Sequence, residues 1–144
     1  MKMPHSQTVK LDIASRFELL DSVGAVLAHV AGILGFDDEA SHYMNVAVRE
    51  SVVNAIKHGN KGDETKRVAV AFTLHPNALE VRVQDQGSGF DPSEVPDPTN
   101  PENLLKAAGR GIFFMRSFMD EVSYTFSPRG GTTVRLVKKV PPKA

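Results

Sequence analysis

The sequence contains no cysteine, which excludes a disulfide framework, a thiolate metal site and a cysteine nucleophile. It also lacks an excess of charge of either sign. Lys+Arg and Asp+Glu both number 17, for a formal net charge of zero. A generic nucleic-acid or acidic-membrane binder needs basic residues in excess on one face, so neither partner is expected. No uninterrupted run of roughly eighteen apolar residues occurs, so no bilayer-spanning segment is expected. The N-terminal stretch MKMPHSQTVKLDIAS lacks the apolar run of a signal peptide, which makes a cytoplasmic location the default expectation. Internal repeats and low-complexity tracts are absent. So are a GxxxxGK[ST] phosphate loop and a GxGxxG between a first strand and helix, which excludes the commonest nucleotide-binding signatures.

What is present suits one globular domain over residues 1–144. Its 41% apolar and 24% charged residues are ordinary values for a chain with a real core. Loose alternation places a strand at Gln7–Ala14, with Val9, Leu11 and Ile13 on one side. Phe17, Leu20, Val23, Leu27 and Val30 form the stripe of an amphipathic helix, which Gly35 is placed to end. A second helix is expected after Asp37-Asp38, with Met44, Ala47, Val48, Val52, Ala55 and Ile56 apolar and His58-Gly59-Asn60 as a glycine stop. Strands at 67–74 and Ala78–Gln84 read as a hairpin across His75-Pro76-Asn77. The Pro- and Gly-rich stretch 85–110 has no period and reads as a functional loop or lid, with a short helical piece near 102–107. A helix at 111–119, strands at 121–127 and Thr132–Lys139, and a frayed tail at 141–144 complete the chain. The order β-α-α-β-β-lid-α-β-β predicts an α/β (α+β) two-layer sandwich, with a mixed, mostly antiparallel sheet covered on one face by helices.

Four constellations carry chemistry. Glu50, Asn54, Lys57 and His58 follow one another on successive turns of one helix face, about 5–6 Å apart. An amide oxygen there suits Mg²⁺, which takes its other oxygens from water and phosphates. A carboxylate one turn away suits a general base, and Lys57 suits phosphate charge. The ordinary alternative is the polar outer face of an amphipathic helix. Asp85-Gln86-Gly87-Ser88-Gly89-Phe90, at a strand end, offers an acceptor for an exocyclic amine such as that of adenine. Its glycines permit close backbone approach; its alternative is a common Asp/Gly turn. Gly109-Arg110-Gly111-Ile112 would open a helix with backbone N–H groups arranged for an anion, or be a plain loop-to-helix junction. Gly131-Thr132-Thr133 opens the last strand, where threonine is common anyway.

Taken in order, the helix RESVVNAIKH, then DQGSGF, then GRGIFFMRSFMDEV, then GGTTVRL resemble the ATP-binding domain shared by gyrase, ninety-kilodalton heat-shock chaperones and histidine kinases. Within that group the match is nearest to the bacterial anti-sigma serine/threonine kinases, and it covers roughly the whole chain. The resemblance implies ATP and Mg²⁺ as cofactors, with Asn54 as the Mg²⁺ ligand and Glu50 as the general base. It implies Asp85 as the residue that recognises the adenine amine, with Gly87 and Gly89 shaping the pocket. Gly109, Arg110, Gly111 and Ile112 would belong to a lid spanning about 86–110. Thr132 would lie near adenine, and Lys57 resembles a phosphate-contacting lysine of the histidine kinases. The implied activity is phosphorylation of a serine on an anti-anti-sigma-like protein, with sequestration of a sigma factor, in a homodimer. A binding module without kinase activity and a detached histidine-kinase domain are the alternatives. The second lacks a helical hairpin carrying a phosphoacceptor histidine, and His29 and His42 are expected to be structural.

Overall fold

The computed structural model describes residues 5–87, 117–127 and 130–142. The strands are β1 (Gln7–Ala14), β2 (Arg67–His75), β3 (Ala78–Gln84), β4 (Glu121–Phe126) and β5 (Thr132–Lys139). A single turn of 3-10 helix, Phe17–Leu19, leads into α1 (Leu20–Leu34), and α2 spans Asp38–Asn54 before a π turn at Ala55–Gly59. Most of the expected lid, the helical piece near 102–107 and the start of the 111–119 helix lie outside the described residues.

The five strands form one sheet in the order β1-β2-β3-β5-β4. Every described pairing is antiparallel, so the parallel component allowed for by a mixed sheet does not occur among these strands. Alternation decides the faces. Ile13, Val68, Val70, Phe72, Leu74, Leu79, Val81, Val83, Val134 and Leu136 are buried beneath the two helices. Together with Leu20, Val23, Leu27 and Val30 of α1 and Met44, Val48 and Val52 of α2 they form one core. The arrangement is the expected two-layer sandwich.

Local chemistry explains where the helices begin and end. Asp37 caps α2, its Oδ1 accepting from the Ala40 N–H at 2.7 Å, and Asp38 and Glu39 place negative charge against the positive helix end. Gly35 ends α1 in the left-handed region at φ 87, as expected of a C-terminal glycine. Phe17 departs from its expected place in the buried stripe: it lies in the 3-10 turn and is 51% exposed. The 18-residue stretch Phe17–Leu34 has a mean hydropathy of 1.6, enough by length and composition to cross a membrane, although no unbroken apolar run is present. Five of its residues, Leu20, Val23, Leu27, Val30 and Ala31, serve the core. His29 and His42 are exposed on their helices rather than structural, and Phe118 is half-buried, stacking on Tyr43 at 4.7 Å.

The other sheet face carries the polar alternates. Glu80 is buried there among cations: His75 Nε2 lies 3.1 Å from its carboxylate, Arg82 Nε lies 3.4 Å away, and Arg135 Nε pairs with the same group. Burial by itself pushes the Glu80 carboxyl up, but the His75 and Arg135 hydrogen bonds and the neighbouring charges outweigh it and hold the group below its ordinary 4.5. A carboxylate with a depressed folded-state pKa stabilises the fold above its unfolded value, and that contribution is lost as pH falls through the folded value. Urea unfolding across pH 3–7 should therefore show a steeper acid loss for the wild type than for Glu80→Gln. Identical slopes would remove Glu80 from the acid sensitivity of the fold.

Candidate functional site

Three parallel rows on α2 organise the site. Residues four apart stack along one face of a helix. Met44, Val48, Val52 and Ile56 are bulky and buried, and they form the core row. Glu50, Asn54 and His58 form a polar row, with the first two half-buried and His58 exposed. Between them runs a row of small residues, Ala47, Ser51, Ala55 and Gly59. The helix widens at its end: the Asn60 N–H reaches the Ala55 carbonyl at 2.8 Å and the Gly62 N–H reaches that of Ile56 at 2.8 Å. Such π turns are uncommon and concentrate at functional sites.

That widened turn brings Gly59 against Asp85. A Cβ placed on Gly59 would stand 2.2 Å from Asp85 Oδ2 and 2.3 Å from its Cγ, so only glycine allows this approach. The His58-Gly59-Asn60 run does close the helix, but the positive φ there falls on Lys61 and Gly62 rather than on Gly59. Its missing side chain serves the contact with Asp85.

Asp85 is 6% exposed and follows directly on β3. Its Oδ1 accepts from the N–H of Gly87 at 2.9 Å and of Thr132 at 3.1 Å, while its own N–H donates to the Thr132 carbonyl at 3.0 Å. Gly131 passes behind at φ 94, where a Cβ would meet the Asp85 carbonyl oxygen at 2.7 Å. Burial pushes the Asp85 carboxyl up, against the opposing pull of the Gly87 and Thr132 N–H groups and the Lys66 charge. The result is a carboxyl with one oxygen fixed by backbone donors and the other turned toward Gly59.

A second polar centre holds this end of the sheet together. Asn60 is 1% exposed. Its Nδ2 donates to Ser15 Oγ at 2.8 Å and to the Arg67 carbonyl at 3.0 Å, and its Oδ1 accepts from the Gln86 N–H at 2.8 Å. Ser15 Oγ in turn donates to the Lys66 carbonyl at 2.7 Å, and Gln86 Oε1 accepts from the Arg67 N–H at 2.6 Å. One buried amide thus ties the end of α2 to β1, β2 and the residues after β3, with its hydrogen-bonding capacity well used.

Of the expected site residues, the structure brings together Asp85, Gly87 and Thr132, and places Glu50 and Asn54 on the polar row of the helix whose end touches Asp85. Lys57 lies on the exposed side of the π turn. Gly89, Gly109, Arg110, Gly111 and Ile112 lie outside the described residues. Sequence reasoning missed Gly59, Asn60, Ser15 and Gln86 as builders of the site. The only signal was the His58-Gly59-Asn60 run, which reads as a simple helix stop.

Residues 13–138 match the histidine kinase-like ATPase domain. The chain belongs to that family. It is 27% identical over 138 residues to the serine-protein kinase RsbW of Listeria monocytogenes, covering 92% of this chain and 87% of that one. It is 29% identical over 136 residues to the serine-protein kinase RsbW of Bacillus licheniformis, covering 90% and 84%. The fold is shared with the crystal structure of the RsbU and RsbW domains of a Mycobacterium tuberculosis protein, at a TM-score of 0.67 and 19% identity. That match covers 94% of this chain and 33% of that one.

Because Gly59 touches Asp85 through space that a methyl would fill, Gly59→Ala should destabilise the protein by about 1–3 kcal/mol through overpacking. Gly32, exposed on α1 with nothing within 4 Å of a built Cβ, is the control, and Gly32→Ala should stabilise by about 0.5–1 kcal/mol. Urea midpoints of the two variants measure both. An unshifted Gly59→Ala midpoint would mean that the contact yields without cost.

Proposed function

We propose that this chain is an ATP-dependent serine/threonine protein kinase and anti-sigma-type regulator, with its nucleotide held between α2 and the Asp85 turn. The observation that carries this reading is the Asp85 carboxylate. It is buried, fixed through one oxygen by two backbone N–H groups, and lies against Gly59, whose missing side chain admits the carboxylate. An acceptor held in this way suits an exocyclic amine, and the family is one of ATPases. The serine-protein kinase relatives, matched over most of both chains, favour transfer to a protein hydroxyl.

In this reading Asp85 accepts from the adenine amine, with Gly87 and Thr132 beside it. The triphosphate extends along the polar row of α2 toward Asn54 and Glu50, under a lid that includes Gly89 and Gly109-Arg110-Gly111-Ile112. No group of three or more His, Asp or Glu side chains converges among the described residues. A divalent ion would therefore be shared with the ligand's phosphates. The Asn54 amide oxygen fits Mg²⁺ held mainly by water and phosphate, and bound Mg²⁺ would neutralise charge on the transferring group. Glu50 accepts the proton of the attacking serine hydroxyl as its oxygen bonds to the γ-phosphorus and the bond to the ADP oxygen breaks. Lys57, exposed at the turn, would offer its charge to the phosphates. The acceptor serine would lie on an anti-anti-sigma-like protein and the silenced partner would be a sigma factor, with the chain acting as a homodimer; these partners rest on the resemblance of the sequence.

Calorimetric titration with ATP, with and without Mg²⁺, tests the site. Saturable binding that needs Mg²⁺ is expected, and Asn54→Ala should abolish it. Glu50→Gln should retain ATP binding and lose phosphoryl transfer by at least about a hundredfold. Full transfer by that variant would exclude Glu50 as the base and favour a module that works by binding alone. Asp85→Asn should reduce the preference for ATP over GTP; an intact preference would remove Asp85 from base recognition.

A further inference from the structure

Residues 59 and 60 meet the turn after β3 at three successive positions. A Cβ on Gly59 would collide with the Asp85 carboxylate, and a Cβ on Gly87 would stand 2.8 Å from the Gly59 carbonyl oxygen. Between these two contacts the Gln86 N–H donates to Asn60 Oδ1 at 2.8 Å. The outer two are packing contacts that glycine makes possible. The middle one is a directional bond, and it uses the side-chain amide of residue 60.

The local backbone does not ask for asparagine there. Asparagine is favoured at helix ends because it tolerates the left-handed conformation, but Asn60 has φ −89 and ψ −3, and Lys61 and Gly62 take positive φ after it. The position therefore uses the side chain. At 1% exposure the Asn60 Nδ2 donates to Ser15 Oγ and to the Arg67 carbonyl, at the ends of β1 and β2. Its Oδ1 is left for the turn that carries Asp85. Its backbone N–H meanwhile closes the π turn onto the Ala55 carbonyl at 2.8 Å.

We infer that Asn60 is a positioning residue for base selectivity: by holding the Gln86 N–H it sets where the Asp85 carboxylate stands relative to α2, without touching the base itself. The inference rests on the proposal that Asp85 recognises adenine. Asn60 follows Asn54 and Glu50 along the same stretch of helix, whereas Asp85 arrives at the end of β3, and the Asn60–Gln86 bond joins the two. Adenine presents a donor amine where guanine presents an acceptor carbonyl. A carboxylate tells them apart only while its oxygen stays in line with that amine, because a hydrogen bond weakens steeply as its angle closes. A turn released from Asn60 lets the carboxylate drift, and the discrimination falls with it.

A merely structural amide would move stability and leave selectivity alone, so the test reads both. Asn60→Ala should lower the urea midpoint and also reduce the preference for Mg·ATP over Mg·GTP about three- to tenfold, the worth of roughly one hydrogen bond. Val30→Ala, a truncation of a fully buried core residue in α1, is the control: its midpoint should fall with the preference intact. Gln86→Pro, at an exposed position, removes the donor of the same bond and opens no cavity, so it tests the bond even if Asn60→Ala does not fold. It should lose the preference to a similar extent, and the double variant should lose no more than either single one. Calorimetric titration of the full chain with each nucleotide, below the unfolding transition, gives the ratios. An unchanged preference in folded Asn60→Ala or in Gln86→Pro would overturn the assignment, as would an equal loss in Val30→Ala. A wild type that binds ATP and GTP alike would instead overturn the reading of Asp85 on which the inference stands.

Discussion

The Asp85 carboxylate pressed against the backbone of Gly59 is the contact on which the functional end of this molecule depends. It joins the last turn of α2 to the end of β3 at a separation that no side chain on residue 59 would permit. On the far side the same aspartate is bonded through backbone and side chain to Thr132 at the start of β5. One residue therefore fixes the helix, the central strand and its neighbour relative to one another. The π turn before it is part of the same device, because closing a wider ring at Ala55–Gly59 carries Gly59 and Asn60 to the sheet. Asn60 then locks the ends of β1 and β2 into the same corner.

Such a corner is costly to fold, and its polar groups show how the cost is limited. An ionised aspartate in a buried position disfavours the folded state, which is why the Asp85 carboxyl is pushed above its ordinary 3.8. By linkage its contribution is most favourable to folding below that value and declines as pH rises through the folded value. Two backbone N–H groups and the nearby Lys66 reduce this penalty without cancelling it. Ser51 of α2 adds a buried hydroxyl without a hydrogen-bond partner among the described residues. The bulky row of α2 and the inner face of the sheet, with Phe72, Leu79, Val81 and Leu136 fully buried, supply the stability that these groups withhold.

Much of the frame was legible in the residues. The strands at Gln7–Ala14, Ala78–Gln84 and Thr132–Lys139 are where the sequence pattern placed them, although on the edge strand β1 only Ile13 is buried and Val9 is 41% exposed. The caps of α1 and α2 followed from Gly35 and Asp37 for local reasons. Phe17 failed because periodicity continues smoothly across a boundary at which the backbone changes from 3-10 to α geometry. Gly59 was seen as a helix stop because a glycine after an apolar stripe usually is one. Its actual partner, Asp85, lies 26 residues further along, and no local pattern couples the two. Asn60, Ser15 and Gln86 were missed for the same reason: hydrogen bonds spanning 19 to 45 residues leave no periodic trace.

The sequence by itself determined the order of the described strands and of α1 and α2, the helix caps and the order of the four motifs, because each depends on neighbours within a few positions. It also determined the family, since four spaced motifs are specific where one is not. Only the tertiary structure decided that the sheet is antiparallel in the order β1-β2-β3-β5-β4, that Gly59 is needed for its absent side chain rather than its φ, and that Ser51 is buried without a hydrogen-bond partner among the described residues. These are properties of contacts between distant segments. Whether a glycine turns the chain or admits a carboxylate depends on what packs against it, and only folding brings that neighbour into place.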